Sequence, residues 1–226
     1  MNRMHVLDAL AERIGRLQLG RPARIAIDGR TASGKTTLAD ELAARLIAQG
    51  RPVIRTSIDG FHKPRAERYA RGRHSADGYY YDARDLGAVV ALLLAPLGPG
   101  GDRLYRTASF DLEGDRAIEQ EPQIAVEDAI LIVDGTFLQR PELSNQWDAT
   151  VFVRTSVETS EARGLCRDME RLGGEEAARE LYARRYHPAY TLYERLSEPE
   201  RRSDAIIDND GLTRPQLHVR AQSRLA

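Results

Sequence analysis

Eight consecutive residues, Gly29-Arg30-Thr31-Ala32-Ser33-Gly34-Lys35-Thr36, set the strongest limit on what this chain can fold into. They match G-x-x-x-x-G-K-[ST] at every fixed position. Glycines at the fixed positions let backbone N–H groups turn inward as a concave nest for phosphate oxygens. The helix that must follow adds its unpaired first-turn N–H groups and the positive end of its dipole. Lys35 is a compact cation able to reach β- and γ-phosphates, and the Thr36 hydroxyl can ligate Mg2+. The flanks agree. Residues 24–28 read as a short β-branched strand, and 35–49 as a helix closed by Gly50 and Pro52.

From this loop the rest can be laid out. Apolar spacing predicts a helix over 6–17, strands over 53–58, 129–134, 149–153 and 205–208, and helices over 83–94, 157–172 and 175–185. An extended pair is expected between 104–112 and 116–118, turning at Gly114-Asp115. The tail after Gly211 carries no clear pattern. Strands alternating with helices imply an α/β, three-layer P-loop NTPase fold: a parallel sheet, helices on both faces, and a small helical lid. One domain over 1–226 is expected, with an insertion over about 59–118 and the lid over about 160–186.

Composition removes several classes. Lys plus Arg number 33 and Asp plus Glu 34, so the formal net charge is −1, without the surplus of a nucleic-acid binder. The longest apolar run, residues 88–95, is far short of a membrane span. No apolar h-region or cleavage site follows the N-terminus, so a signal peptide is not expected. A single cysteine, Cys166, suits a reducing, cytoplasmic setting and supports no zinc site. The basic residues are lopsided: 31 arginines against two lysines, Lys35 and Lys63.

The string GRTASGKTT resembles the phosphate loop of the uridine kinase and phosphoribulokinase family, whose uridine-cytidine kinases carry a similar G-x-TASGK-[ST] core. The likeness continues from about Arg24 to Asp210. Ser57-Ile58-Asp59-Gly60-Phe61-His62 resembles the family's Asp-bearing strand end, Ile130 to Gly135 its Walker B strand, Arg163 through Asp168 its lid helix, and Ser203 to Asn209 its closing strand. The departures are Gly60-Phe61-His62-Lys63 after the aspartate, Asp134-Gly135 where Glu-Gly is frequent, and a loosely echoed nucleoside-contacting segment at His74 to Asp82 and Phe110-Asp111. The resemblance implies an enzyme that moves the γ-phosphoryl of ATP, with Mg2+, to a small-molecule hydroxyl, first among them the 5′-hydroxyl of uridine or cytidine. Another small alcohol (a sugar, sugar phosphate or pantothenate-like compound) or a regulatory ATPase without acceptor are the alternatives.

Candidate roles follow. ATP would be held by Gly29, Arg30, Thr31, Ala32, Ser33, Gly34, Lys35, Thr36 and Thr37, and Mg2+ by Thr36 and Asp134. Asp59, just past a strand, would accept or orient the acceptor proton, with Lys35, Arg163 and Arg167 as the other catalytic candidates. Asp59 and Asp134 can also be read as plain Asp-Gly turn residues. Arg163, Arg167 and Arg171 recur every four residues, as a phosphate clamp or as a solvated face paired with Glu161, Asp168 and Glu170. Asp28 reads as a turn residue, with a helper role near Mg2+ as the alternative. Acceptor-binding candidates are His62, Lys63, Tyr79, Tyr80, Asp82 and Arg106, against a solvated loop; the arginines there lean toward a negatively charged acceptor. No oligomeric state can be read, a homodimer being open.

Overall fold

A computed structural model describes residues 2–226. Helix α1 (Arg3–Gly15) starts earlier than its apolar spacing suggests, because the Asn2 Oδ1 accepts the His5 N–H at 3.0 Å and caps it. Then come β1 (Ala23–Gly29), α2 (Lys35–Ala48) and β2 (Val53–Ser57). A 3-10 turn, Ile58–Phe61, leads into a long excursion holding α3 (Arg65–Arg68), a π-turn (Gly78–Asp82) and α4 (Leu86–Val89) with its π-helical continuation Val90–Leu94.

Two expectations for this region need correction. The helix over 83–94 begins only at Leu86, since Asp85 caps it by accepting the Ala88 N–H at 2.9 Å. The extended pair splits in two. Strand β3 (Leu104–Tyr105) pairs with β6 (Gln123–Ile124), and β4 (Phe110–Asp111) pairs with β5 (Arg116–Ala117). Asp111 closes the second hairpin by accepting the N–H groups of Glu113 and Gly114 at 3.1 and 3.0 Å.

Strands β7 (Ile130–Gly135) and β8 (Ala149–Arg154) follow, then α5 (Val157–Leu172), α6 (Glu175–Leu181), a π-turn (Tyr182–Tyr186), α7 (His187–Ser197), α8 (Pro199–Arg202), β9 (Ala205–Asp208) and β10 (Gln216–Val219). The helix expected over 175–185 yields to the π-turn after Leu181, and α7 was not foreseen. The main sheet has the order β10-β9-β8-β1-β7-β2. All neighbours are parallel except β10, which closes the edge antiparallel to β9 and gives the unplaced tail its position. The sheet is thus mostly parallel.

Alternation along the strands divides the core in two. Ile25, Ile27, Ile130, Ile132, Val151 and Val153 pack under α1 and α2. Ala26, Leu131 and Val133 face Phe61, Leu93, Leu138 and Trp147 on the other side. Trp147 also donates Nε1–H to the Leu138 carbonyl at 2.7 Å, so it packs before β8 as its sequence position suggests.

One buried ion cluster pins the lower end of the sheet. Asp148 accepts from Arg21 Nη2 at 2.6 Å, from Arg24 Nε at 3.1 Å and from the Arg24 backbone N–H at 2.9 Å. Burial pushes its carboxyl pKa up, but Arg21 and Arg24 outweigh this and hold it at about 2. That depressed value stabilises the fold fully above the unfolded carboxyl value near 4, and the contribution fades as pH falls toward 2. Asp148→Ala strands the buried Arg24 and is expected to cost about 3–5 kcal/mol, read by urea unfolding at pH 7. A loss under about 1 kcal/mol would show that water or Arg rearrangement replaces the pair.

Candidate active site

Three neighbouring strands deliver the motif residues to one edge. Strand β7 lies between β1 and β2, with Ile27 and Ser57 both in register with Asp134. The carboxyl ends of such strands are where open α/β sheets bind ligands.

The Gly29–Thr36 loop has the curvature of an anion nest. Ala32 and Gly34 both have left-handed backbone, with φ of 60° and 92°. Gly34 must be glycine for a second reason: a Cβ there would lie 2.6 Å from Asn209 Nδ2, which donates to the Ser33 carbonyl at 2.8 Å. No side chain caps the start of α2, so its first N–H groups are free for an anion. Lys35 is buried there, with Nζ folded back to the Arg30 carbonyl at 2.6 Å. Beneath the loop, Asp28 accepts from the Gly29 N–H at 2.7 Å, from Gln139 Nε2 at 3.2 Å and from the Tyr193 hydroxyl. Burial raises the pKa of this carboxyl, and the contacts make it a support of the turn.

Thr36 donates its hydroxyl to Asp134 Oδ2 at 2.6 Å. The other carboxylate oxygen lies 2.7 Å from Arg55 Nη2 yet accepts no well-angled hydrogen bond, and Arg55 also holds Asp40 at 2.8 Å. One hydroxyl and one carboxylate with an oxygen to spare suit a hard cation such as Mg2+ that keeps most of its shell on phosphate and water. Among the described residues no group of three acidic, His or Cys side chains forms a self-sufficient metal cage. Arg55 gave no signal in the sequence.

Asp59 stands at the mouth of the 3-10 turn after β2. Its Oδ1 accepts from Arg84 Nη2 at 2.6 Å, and its carbonyl meets His62 Nδ1 at 2.9 Å. Partial desolvation by the cleft wall pushes the Asp59 carboxyl up although the side chain is 61% exposed, and Arg84, His62 and Lys35 more than offset this and leave it below its ordinary value. His62 is drawn down to about 4, by burial first and by Arg84 second, so it is neutral at pH 7. The Asp59 carbonyl then fixes the proton on Nδ1 and leaves Nε2 facing as an acceptor.

Asp59, His62, Tyr79, Thr31 and Arg167 line one cleft of about 600 Å3. Arg167 and Arg171 reach it from α5, both paired with Asp168, at 2.7 and 3.2 Å. Other candidates are placed elsewhere. Arg163 donates to the carbonyls of Asn209 and Asp210 at 3.0 and 2.8 Å, so it ties down the end of β9 and does not line this cleft. Tyr80 is buried in an aromatic cluster with Phe137 and Tyr193. Asp82 pairs with Arg71 at 2.8 Å, and Arg106 donates Nε–H to the Gln120 carbonyl at 2.6 Å. Lys63 does not line the cleft either. Conversely, Arg84, Arg185, Tyr69 and Tyr186 line it without having been singled out. Tyr69 sits in a stretch without periodicity, Arg84 and Arg185 sit at the ends of expected helices, and in a chain with 31 arginines one more is no signal.

Comparison with known proteins gives a consistent result. The model of the "Phosphoribulokinase / Uridine kinase family" matches residues 24–209. Uridine-cytidine kinase B of Dictyostelium discoideum is 27% identical over 189 residues, 82% of this chain and 74% of that protein. A uridine kinase of Brevibacillus brevis is 24% identical over 202 residues, 89% of this chain and 91% of that protein. The structure of a possible uridine kinase from Bacillus stearothermophilus superposes with a TM-score of 0.70 at 25% identity, covering 90% of this chain and 97% of that one.

Proposed function

The chain belongs to the phosphoribulokinase/uridine kinase family of P-loop kinases, and on that premise we propose that it transfers the γ-phosphoryl group of ATP to a hydroxyl of a small molecule seated beside Asp59. The observation that carries this reading is the Asp59 carboxylate, kept ionised by Arg84 at 2.6 Å on the cleft wall, two residues past the strand that pairs with Asp134.

The roles follow from the geometry. The loop amides and the uncapped start of α2 hold the phosphates. Lys35 unfolds from the Arg30 carbonyl onto the β- and γ-oxygens. Thr36 and Asp134 are the residues that would hold Mg2+, which supplies neutralisation of phosphate charge. Asp59 orients the acceptor hydroxyl, whose oxygen forms the new bond to the γ-phosphorus as the bond to the β–γ bridging oxygen of ADP breaks. The hydroxyl proton passes to Asp59. Arg167 and Arg171 neutralise the equatorial oxygens, and the segment 160–186 serves as a lid that keeps water out. Residues 59–118 serve as the acceptor-binding insertion. A cytoplasmic site of action suits the one cysteine and the demand for ATP.

The names of the relatives favour a nucleoside 5′-hydroxyl as the acceptor. The arginines of the cleft wall favour the second reading, another small alcohol, and in particular a negatively charged one. The deciding experiment measures ADP formation and phosphorylated product over a panel of nucleosides, sugars, sugar phosphates and hydroxy acids. A product with at least tenfold stimulated ADP release supports a kinase. Full-rate hydrolysis without any acceptor and without phosphorylated product would instead reveal a regulatory ATPase.

A pH profile tests Lys35 separately. Burial draws its ammonium down to about 8 in the free protein, the carboxylates of Asp134, Asp28 and Asp59 limiting the fall. Above that pH the free protein loses the charge that greets the triphosphate, so kcat/KM for ATP is expected to decline above about pH 8. The bound triphosphate restores the proton, so kcat should hold to higher pH. On the acid side both should be flat from pH 5 to 7, since Asp59 is held low and His62 titrates near 4. A kcat/KM that stays level to pH 10 would show that Lys35 keeps its proton throughout.

A further inference from the structure

The cleft beside Asp59 is lined by seven arginines and two aspartates. Three of those arginines have duties already described: Arg84 on Asp59, and Arg167 and Arg171 on Asp168. Four remain on the wall made by residues 65–73 and Tyr182–Tyr186. Arg65 and Arg73 are exposed, and neither guanidinium forms an ion pair among the described residues, although the Arg65 backbone N–H donates to Asp115 at 2.9 Å. Arg68 is 6% exposed, with Nη2 on Asp115 at 2.7 Å and a buried Nε that has no partner.

Arg185 is the most telling. It is 6% exposed and has no carboxylate partner among the described residues. Its Nη1 donates to the Arg73 carbonyl, and its guanidinium lies 5.0 Å from the Tyr69 ring and 4.8 Å from the Tyr79 ring. The same Tyr79 ring carries Arg84 at 5.9 Å, and Arg84 holds Asp59. One aromatic ring therefore touches both a buried cation without a carboxylate partner and Arg84, the guanidinium that holds Asp59. Two like charges against one ring repel, and a buried charge without a counter-ion is costly. An anion from outside relieves both. A neutral base would relieve neither, and the lining has no Asn, Gln or Ser side chain to read its edge. Arginine forks grip phosphate and carboxylate in two-point contacts.

We infer that the acceptor carries, besides its reactive hydroxyl, a phosphate or carboxylate group, anchored by Arg185 together with Arg68 and Arg73. This rests on the kinase reading, and the two are tested apart.

Binding is read by titration calorimetry on the full chain loaded with a non-hydrolysable ATP analogue and Mg2+. The ligands are matched pairs: ribose 5-phosphate with ribose, glycerate with glycerol, pantothenate with pantothenol, and uridine and cytidine besides. Turnover is measured on the same set with ATP. The anionic member of at least one pair is expected to bind at least tenfold more tightly than its neutral twin. Arg185→Met should weaken that binding at least tenfold with affinity for the ATP analogue held within twofold. Because Arg185 is buried, the exposed pair Arg65→Gln/Arg73→Gln serves as a second variant, expected to weaken the same ligand at least threefold. A phosphate arm and a carboxylate arm decide which anion is meant. Anion binding that depends on Arg185 but yields no product supports the anchor and removes the kinase reading. Uridine or cytidine bound and phosphorylated as well as any anion, with the Arg variants indifferent, overturns the anchor and leaves a kinase. No preference for the anionic twin in any pair also overturns it.

Discussion

Asp59→Asn is expected to lower kcat by about 10²–10⁴-fold while changing the affinity for ATP by less than about threefold. The amide keeps the size of the carboxylate and can still accept from Arg84, so the cleft wall at Asp59 and Arg84 is expected to stand. What is lost is the negative charge that aligns the attacking hydroxyl and takes its proton. The low pKa of this carboxyl refines the role. Arg84, His62 and Lys35 together lower it, so the group is ionised at neutral pH and is a weak base. In the proposed role it would therefore orient the hydroxyl early and receive the proton late, as the bond to phosphorus forms. This fits a loose transition state, in which the nucleophile needs little activation. Steady-state kinetics with a productive acceptor, alongside calorimetric titration of an ATP analogue, separates the two effects. Turnover within fivefold of wild type would remove Asp59 from the chemistry.

Lys35→Ala should be the other large loss, about 10²–10³-fold in kcat with KM for ATP raised as well. The residue is buried at the first position of α2, and its ammonium already bridges to the Arg30 carbonyl. Alanine removes both the cation and that clasp, so neither the phosphate charge nor the loop shape is retained. Lys35→Arg should not rescue activity: a planar fork is too broad for the buried space under the loop and cannot present a point charge. Product formation is the readout, with unfolding curves to show that the fold survives. Unimpaired transfer in the alanine variant would mean that the loop amides suffice alone.

The loop, the strands feeding it and the helix after it were legible because their signals are local. Glycine at left-handed positions, lysine at a helix start and short β-branched apolar runs need no distant partner to be read. The helix over Val157–Leu172 was legible for the same reason, with Ser156 capping and Gly173 terminating it. The excursion between Ile58 and Ile124 was not, since two-residue strands and π-turns have no period to detect. The cleft wall was hardest. Arg84 and Arg185 are about 100 positions apart in sequence and meet only because Tyr79 comes between them. Tyr80, its neighbour, points into the core by the same turn, so adjacent tyrosines with equal claims on sequence grounds have opposite fates. Lys63 drew notice through its rarity and its place four residues past Asp59, and neither carries geometry.

The contact from Asn209 to the Ser33 carbonyl joins residues 176 positions apart. The phosphate nest, though written in eight consecutive letters, thus takes its final shape from a strand laid down near the other end of the chain. During synthesis the eight-residue motif emerges early, yet the clasp that seats it waits for β9 to dock beside β8. Long-range closure of this kind is slow to form and costs chain entropy. Nucleotide affinity in this protein is therefore a late-maturing property, and it reports on completion of the sheet as a whole.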